Sequence, residues 1–356
     1  MNKKVHNFSA GPSILPDKVF EQASSAIKDF NNSGLSILEI SHRSKDFIEV
    51  LEEARFTALD IAELNKDEYT CLYLQGGASL QFLMTAYNFL NNNAAYINTG
   101  SWSTKAIKEA KMFGVVTEIA SSADKNFNYI PKDLSLNESY DYLHLTSNNT
   151  IFGTQFHSFP DLNCPLFADM SSDIFSRKIN FSKFDLIYAG AQKNLGPAGV
   201  TMVLIRKSLL KNISRQVPSM LSYKIHADKD SSFNTPPVFP IYCVLLNLRM
   251  IKNDGLDNIA SNNDIKSKLI YEEIDNNKCF SGFSHVDDRS QMNATFNLND
   301  GFNGELFNEI CKENNISGIN GHRSVGGYRA SIYNALPIDS VKLLIKCMKE
   351  FESNYN

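Results

Sequence analysis

No stretch of the chain approaches the ~20 consecutive apolar residues that a membrane-spanning helix requires. The six cysteines, Cys71, Cys164, Cys243, Cys279, Cys311 and Cys347, include no C-x-x-C pair. That excludes a zinc or disulfide framework and fits reduced thiols of a cytoplasmic protein. Neither sign of charge dominates: 35 Lys and Arg against 39 Asp and Glu leave a net charge of −4. Nothing therefore asks for nucleic acid or an anionic membrane as a partner. The start, Met1 to Asn7, leads into no apolar core and does not read as a signal peptide. Tryptophan occurs once, at Trp102. No internal repeat or low-complexity tract is present, and no metal site is expected.

What is there is an ordinary globular composition, 43% hydrophobic and 21% charged over 356 residues. The length suggests two domains. Residues 1–15 are an extended segment, and Pro16-Asp17 opens a helical pattern through Phe30. Residues 34–41 alternate between polar and apolar and end at His42-Arg43, and apolar spacing predicts a long helix over 45–64. A strand over 69–74 runs into Gly76-Gly77 and then a helical pattern of Leu80, Leu83, Met84, Tyr87 and Leu90. Further strands are expected at 95–98, 115–119, 142–146, 166–170, 186–189 and 200–205, with a helix over 103–113. This alternation predicts an open, mostly parallel α/β sheet, whose ligands bind beyond the carboxyl ends of its strands. After Pro236-Pro237 the pattern changes to helices over 241–251, 256–276, 304–314 and 337–351 and strands near 291–298 and 325–332. The expectation is a large α/β domain over 16–255 and a smaller α+β domain made of 1–15 and 256–356.

Within residues 184–206, two β-branched apolar runs enclose a glycine-rich turn that carries Lys193. A lysine in a turn is ordinarily solvated. One held between buried strands needs a partner, or it condenses with an aldehyde, because desolvation lowers its pKa and frees the amine as a nucleophile. Gly76-Gly77-Ala78-Ser79, at a strand-to-helix turn, is either a tight turn or an anion site built from free N–H groups and the helix dipole. Asp169, 24 residues before Lys193, either caps the Ser171-Ser172 segment or faces the crevice. Trp102 is a core residue or a stacking surface for a flat ring. Asn148-Asn149-Thr150 is a turn with a hydroxyl that could bond such a ring. His42-Arg43, His322-Arg323 and Arg329 are surface charges or readers of a carboxylate and a phosphate.

Eight motifs stand in order: N-F-S-A-G-P at 7–12, S-H-R-S at 41–44, Q-G-G-A-S-L-Q-F at 75–82, N-T-G-S-W-S at 98–103, A-D-M-S-S at 168–172, Y-A-G-A-Q-K-N-L-G-P-A-G at 188–199, F-N-T-P-P at 233–237 and G-H-R-S-V-G-G-Y-R-A-S-I-Y-N-A at 321–335. Through these, over essentially its whole length, the chain resembles the phosphoserine aminotransferases, a class V, fold-type I family dependent on pyridoxal 5′-phosphate (PLP). The resemblance implies that Lys193 bonds the cofactor and Asp169 holds its pyridinium. It implies that Trp102 stacks on the ring and Thr150 bonds its phenolic oxygen. Ala78, Ser79 and Gln192 would hold the cofactor phosphate, helped by Asn234 and Thr235 from the partner in a homodimer with shared sites. His42, Arg43, His322 and Arg323 would read substrate phosphate, Arg329 the α-carboxylate, and Ser9 would join the substrate site. The implied reaction exchanges an amino group between L-glutamate and a phosphorylated 2-oxo acid, 3-phosphohydroxypyruvate, with 4-phosphohydroxythreonine as a further substrate of the PLP-synthesis branch. Some members carry an arginine where this chain has Ser79. A serine–pyruvate or alanine–glyoxylate aminotransferase is the alternative within class V.

Overall fold

The computed structural model describes residues 5–355; residues 1–4 and 356, part of the expected small domain, lie outside the described residues. The described chain opens with β1 (His6–Asn7), α1 (Asp17–Lys28) and α2 (Lys45–Ile61). Then β2 (Tyr69–Leu74), α3 (Gly77–Phe89), β3 (Asn93–Asn98), α4 (Ser101–Ala110) and β4 (Val115–Ser121) alternate. β5 (Leu143–Thr146) is followed by a small hairpin, β6 (Asn148–Asn149) with β7 (Thr154–Gln155), and by β8 (Leu166–Asp169), β9 (Leu186–Gly190) and β10 (Thr201–Arg206). Short α5 (Lys207–Leu210) and α6 (Tyr223–Asp228) precede α7 (Val238–Asp254) and α8 (Leu256–Asn276). The chain closes with β11 (Phe280–Gly282), β12 (Asn293–Leu298), α9 (Gly304–Glu313), β13 (Ile316–Ser317), β14 (Tyr328–Ser331) and α10 (Ile338–Ser353).

The central sheet has seven strands in the order β2-β10-β9-β8-β5-β3-β4. β10 pairs antiparallel with both neighbours and every other pair that joins two adjacent strands is parallel. The mostly parallel sheet read from the sequence is therefore present, with one reversed strand. Period-two alternation sorts its side chains into two layers. Ala95, Leu145, Ala168, Ile187 and Met202 join α2 and α7 on one face. Leu72, Tyr96, Phe167, Tyr188 and Val203 join α3 and α4 on the other. The edge at β2 is covered: Tyr73 N donates to Ser231 Oγ (2.9 Å) and Arg55 Nε donates to the Cys71 carbonyl (2.9 Å). That satisfies groups that an open edge would expose.

A three-stranded antiparallel sheet, β11-β12-β14, packs against α8, α9 and α10 around Phe280, Phe296, Phe307 and Phe351. β1 pairs with β13, which brings Phe8 into this second core. α8 spans both cores: Leu256 and Ile259 pack in the first, Ile270, Tyr271 and Ile274 in the second.

The alternating stretch 34–41 forms turns, and one expected helix boundary is corrected. Ser36 Oγ accepts from Leu38 N (3.1 Å), and the Ser36 carbonyl accepts from Glu39 N (2.9 Å) and Ile40 N (3.2 Å). These local bonds outcompete strand pairing, and Ile37 and Ile40 point inward three residues apart. The helix expected over 103–113 begins two residues earlier, because Ser103 Oγ accepts from the N–H groups of Thr99 (3.0 Å) and Gly100 (2.9 Å). Trp102 thus sits inside the first turn of α4 and not ahead of it.

Candidate active site

β2, β3, β5, β8 and β9 point the same way, so their carboxyl ends share one rim of the sheet. Each end hands over a polar group: the Gly76-Gly77 turn after β2, Trp102 after β3, Thr150 after β5, Asp169 at the end of β8, Lys193 after β9. They surround a cavity of about 290 Å³, closed from the other side by Ala10, Gly11, His322 and Arg329.

At the start of α3, Gly76 has φ 91°, and a Cβ there would collide with Leu80, so the turn needs glycine. No side chain caps this helix. Its first N–H groups, beside Ala78 and Ser79, are left to a ligand in the cavity. Across the cavity, Trp102 donates its indole Nε1–H to Thr150 Oγ1 (3.1 Å), and the Thr150 carbonyl accepts from Arg329 Nη1 (2.9 Å).

Lys193 Nζ stands 5.9 Å from the centre of the Trp102 ring. Burial pushes its amine below the ordinary lysine range; Asp169 pulls it back up, and the Arg329 cation adds to the fall. Asp169 is 5% exposed, and its Oδ1 accepts from both Ser171 N (2.9 Å) and Ser171 Oγ (2.6 Å). Burial raises its carboxyl above the usual range, while Lys193 and Ser171 hold it down. A carboxylate in such a place is completed by a cation set against it. His322 is pushed below the ordinary histidine range, first by burial and then by Arg329, Arg323 and Lys105. The mouth of the cavity is thus cationic, and no carboxylate pairs with Arg329, Arg323 or Lys105 in the ion pairs among the described residues.

The structure brings together Ala78, Ser79, Trp102, Thr150, Asp169, Gln192, Lys193, His322 and Arg329. It leaves six others off the wall of this cavity. Arg323 is exposed beside His322, and Ser9 donates its N–H to Asn7 Oδ1 (3.0 Å). His42 and Arg43 lie in the turn before α2. Asn234 Nδ2 donates to Gln75 Oε1 (3.0 Å), and Thr235 is exposed. Ala10 and Gly11 escaped the reading of single residues, and Ser171 entered it only as part of the segment that Asp169 could cap. The signal for Ser171 was present: a serine two residues past a strand-end aspartate can bond back to it.

These residues fit a PLP molecule. The uncapped start of α3 suits its phosphate and Trp102 its flat ring. Asp169 suits a protonated ring nitrogen, and Lys193 an aldehyde. Thr150 Oγ1 accepts from Trp102, so its own O–H remains to donate to the ring oxygen.

A layered, mostly parallel sheet with a lysine and a buried aspartate at its strand ends suits a PLP-dependent enzyme. The aminotransferase class-V family model matches residues 5–344, and the chain belongs to that family of enzymes. It is 56% identical over 353 residues to a phosphoserine aminotransferase of Flavobacterium psychrophilum, covering 98% of this chain and 99% of the relative. A phosphoserine aminotransferase solved in a study of radiation damage to its Schiff base superposes with a TM-score of 0.95, at 47% identity and 99% coverage of both chains. A PLP-bound phosphoserine aminotransferase from Trichomonas vaginalis superposes with a TM-score of 0.92, at 35% identity, covering 97% of this chain and 100% of that one. No described helix is long and apolar enough to cross a membrane.

Proposed function

We propose that the chain is a phosphoserine aminotransferase that exchanges an amino group between O-phospho-L-serine and 2-oxoglutarate, and in reverse between L-glutamate and 3-phosphohydroxypyruvate. The observation that carries this is one cavity with Lys193 and Asp169 at its floor, Trp102 and Thr150 on its wall, and His322 and Arg329 at its mouth. PLP, when bound, would supply an electron sink for the pair left on the substrate Cα. The other tasks fall to the chain. The uncapped α3 terminus with Ala78, Ser79 and Gln192 would grip the cofactor phosphate. Asp169 would keep a proton on the ring nitrogen. Lys193 would carry the cofactor covalently; once released, its Nζ would accept the proton from the donor Cα and, in the return half, give one to C2 of the acceptor. Arg329, held against the Thr150 carbonyl, would orient the α-carboxylate.

His42, Arg43, His322 and Arg323 are assigned to the substrate phosphate, with Ser9 alongside. Such a cationic set disfavours the small uncharged substrates of the alternative class V aminotransferases. A second subunit is supported by exposed apolar side chains, Phe20, Ile27, Leu35, Leu38 and Ile48, gathered on α1, the turns after it and α2. Asn234 and Thr235, away from their own chain's cavity, would reach the partner's cofactor. The two domains proposed from the sequence, 16–255 and 1–15 with 256–356, would then carry the cofactor and the Arg329 side respectively. The reading places the enzyme in the cytoplasm. The test is an amino-donor series with the PLP-loaded protein: O-phospho-L-serine should exceed L-serine and L-alanine by at least about a hundredfold in kcat/KM, the scale of one lost charged contact. Equal rates on the three would reject the assignment.

A further inference from the structure

Lys266 lies within α8 and is 2% exposed. Its Nζ donates to three backbone carbonyls, Tyr333 (2.7 Å), Ile332 (3.1 Å) and Leu336 (3.2 Å). Burial pushes its pKa down to about 7. The three carbonyls oppose that fall, since only the ammonium form carries three N–H donors. An apolar residue in its place would fill the space but leave the three carbonyls without this donor. The lysine therefore does something that packing does not.

The segment it grips leads straight to the active site. Residues 332–336 follow β14, which carries Arg329. Tyr333 donates its hydroxyl to the carbonyl of Ala10 (2.7 Å), which lines the cavity, and accepts from Asn293 Nδ2 (3.2 Å). Asn334 N donates to Asn194 Oδ1 (3.1 Å), the residue after Lys193, and Asn334 Nδ2 donates to the Phe175 carbonyl (2.9 Å). Asn263, one turn before Lys266 on α8, donates to Asn334 Oδ1 (2.8 Å). One short segment thus touches the strand of Arg329, the wall at Ala10 and the turn of Lys193.

We propose that Lys266 is a positioning residue: its three-carbonyl clasp on 332–336 fixes the place of Arg329 relative to Lys193, and so how tightly the α-carboxylate of either substrate is held. This rests on the roles proposed above for Arg329 and Lys193. Lys266 touches no substrate or cofactor group and acts only through Tyr333 and Asn334.

The test compares PLP-loaded wild type with Lys266→Met, Lys266→Gln and Tyr333→Phe. In Lys266→Met, KM for both O-phospho-L-serine and L-glutamate should rise about tenfold or more, with kcat within about threefold and cofactor absorbance unchanged. Lys266→Gln, which keeps two N–H donors, should recover part of that loss. Hydrogen exchange in peptides covering 332–336 and 191–196 should accelerate together in Lys266→Met. If that variant does not fold, Tyr333→Phe, which leaves the lysine in place, should still raise both KM values. Unchanged KM values in a folded variant, or unchanged exchange in both peptides, overturn the proposal. The exchange arm needs no substrate. A wild type inactive on O-phospho-L-serine with coupled exchange would reject the assigned reaction and support the clasp.

Discussion

Trp102 and Thr150 are joined by an indole N–H to hydroxyl bond of 3.1 Å, across the gap between α4 and the hairpin after β5. The same threonine holds Arg329 through its carbonyl. The indole, the threonine hydroxyl and carbonyl, and the guanidinium are therefore one connected unit.

Thr150→Val keeps the volume and removes the hydroxyl. We expect a loss of about 1–2 kcal/mol of stability from the indole N–H left without its acceptor. Because Trp102 is the only tryptophan, its emission reports the site directly and should shift, while Thr150→Ser should look like wild type. Denaturant midpoints and fluorescence spectra check this; an unchanged Thr150→Val spectrum would count against it.

Lys193→Ala should leave no borohydride-stable link to PLP and almost no turnover. Asp169→Asn should still bind PLP but lose at least about a hundredfold in kcat, since an amide cannot hold the ring proton. Mass spectrometry after reduction and single-turnover rates distinguish the two. A reduced adduct on Lys193→Ala would move the role to another lysine.

Arg329→Ala should weaken L-glutamate and O-phospho-L-serine alike, by about 2–5 kcal/mol in kcat/KM, because both present an α-carboxylate to it. Arg323→Ala should weaken O-phospho-L-serine more than L-serine. Equal losses on the two amines would remove Arg323 from the phosphate site.

His144 is fully buried between Tyr96 and Tyr188, bonded through Nε2 to the Tyr188 hydroxyl (2.8 Å). Burial lowers its pKa from 6.5 to about 3. The depressed value means that its contribution to stability is complete above pH 6.5 and is lost as pH falls toward 3. The slope is about 1.4 kcal/mol per pH unit once the unfolded chain binds that proton. Urea midpoints from pH 7 to 4.5 should therefore fall less steeply for His144→Gln than for wild type; parallel curves would assign the acid sensitivity elsewhere.

For the shared site, Lys193→Ala mixed with the double variant Asn234→Ala, Thr235→Ala should regain activity. One site of the mixed dimer collects both defects and the other collects neither. The readout is O-phospho-L-serine turnover against mixing ratio, with size exclusion reporting the dimer. If subunits exchange freely and the mixture never exceeds the sum of its parts, each site belongs to one chain.

Lys193 was legible from sequence because two strand-length apolar runs and four nearby turn residues bracket it within residues 184–206. Asp169 was legible as the polar end of a buried strand. Both signals are local, and local periodicity survives translation into structure wherever no side chain competes with the backbone. At 34–41 the serines and Glu39 did compete, and the alternation became turns.

The sequence by itself determined the order of strands and helices, the glycine turn before α3 and the residues placed at the strand ends. Tertiary structure alone decided that Arg329, 179 residues from Thr150, lies against its carbonyl. It also decided that Lys266 in a polar-looking helix is buried in a clasp, and that Tyr333 reaches Ala10, 323 residues away. The reason is physical: short-range spacing sets which face of an element is apolar. Which distant polar groups meet depends on how two separate cores pack together, and no window of neighbouring residues carries that information.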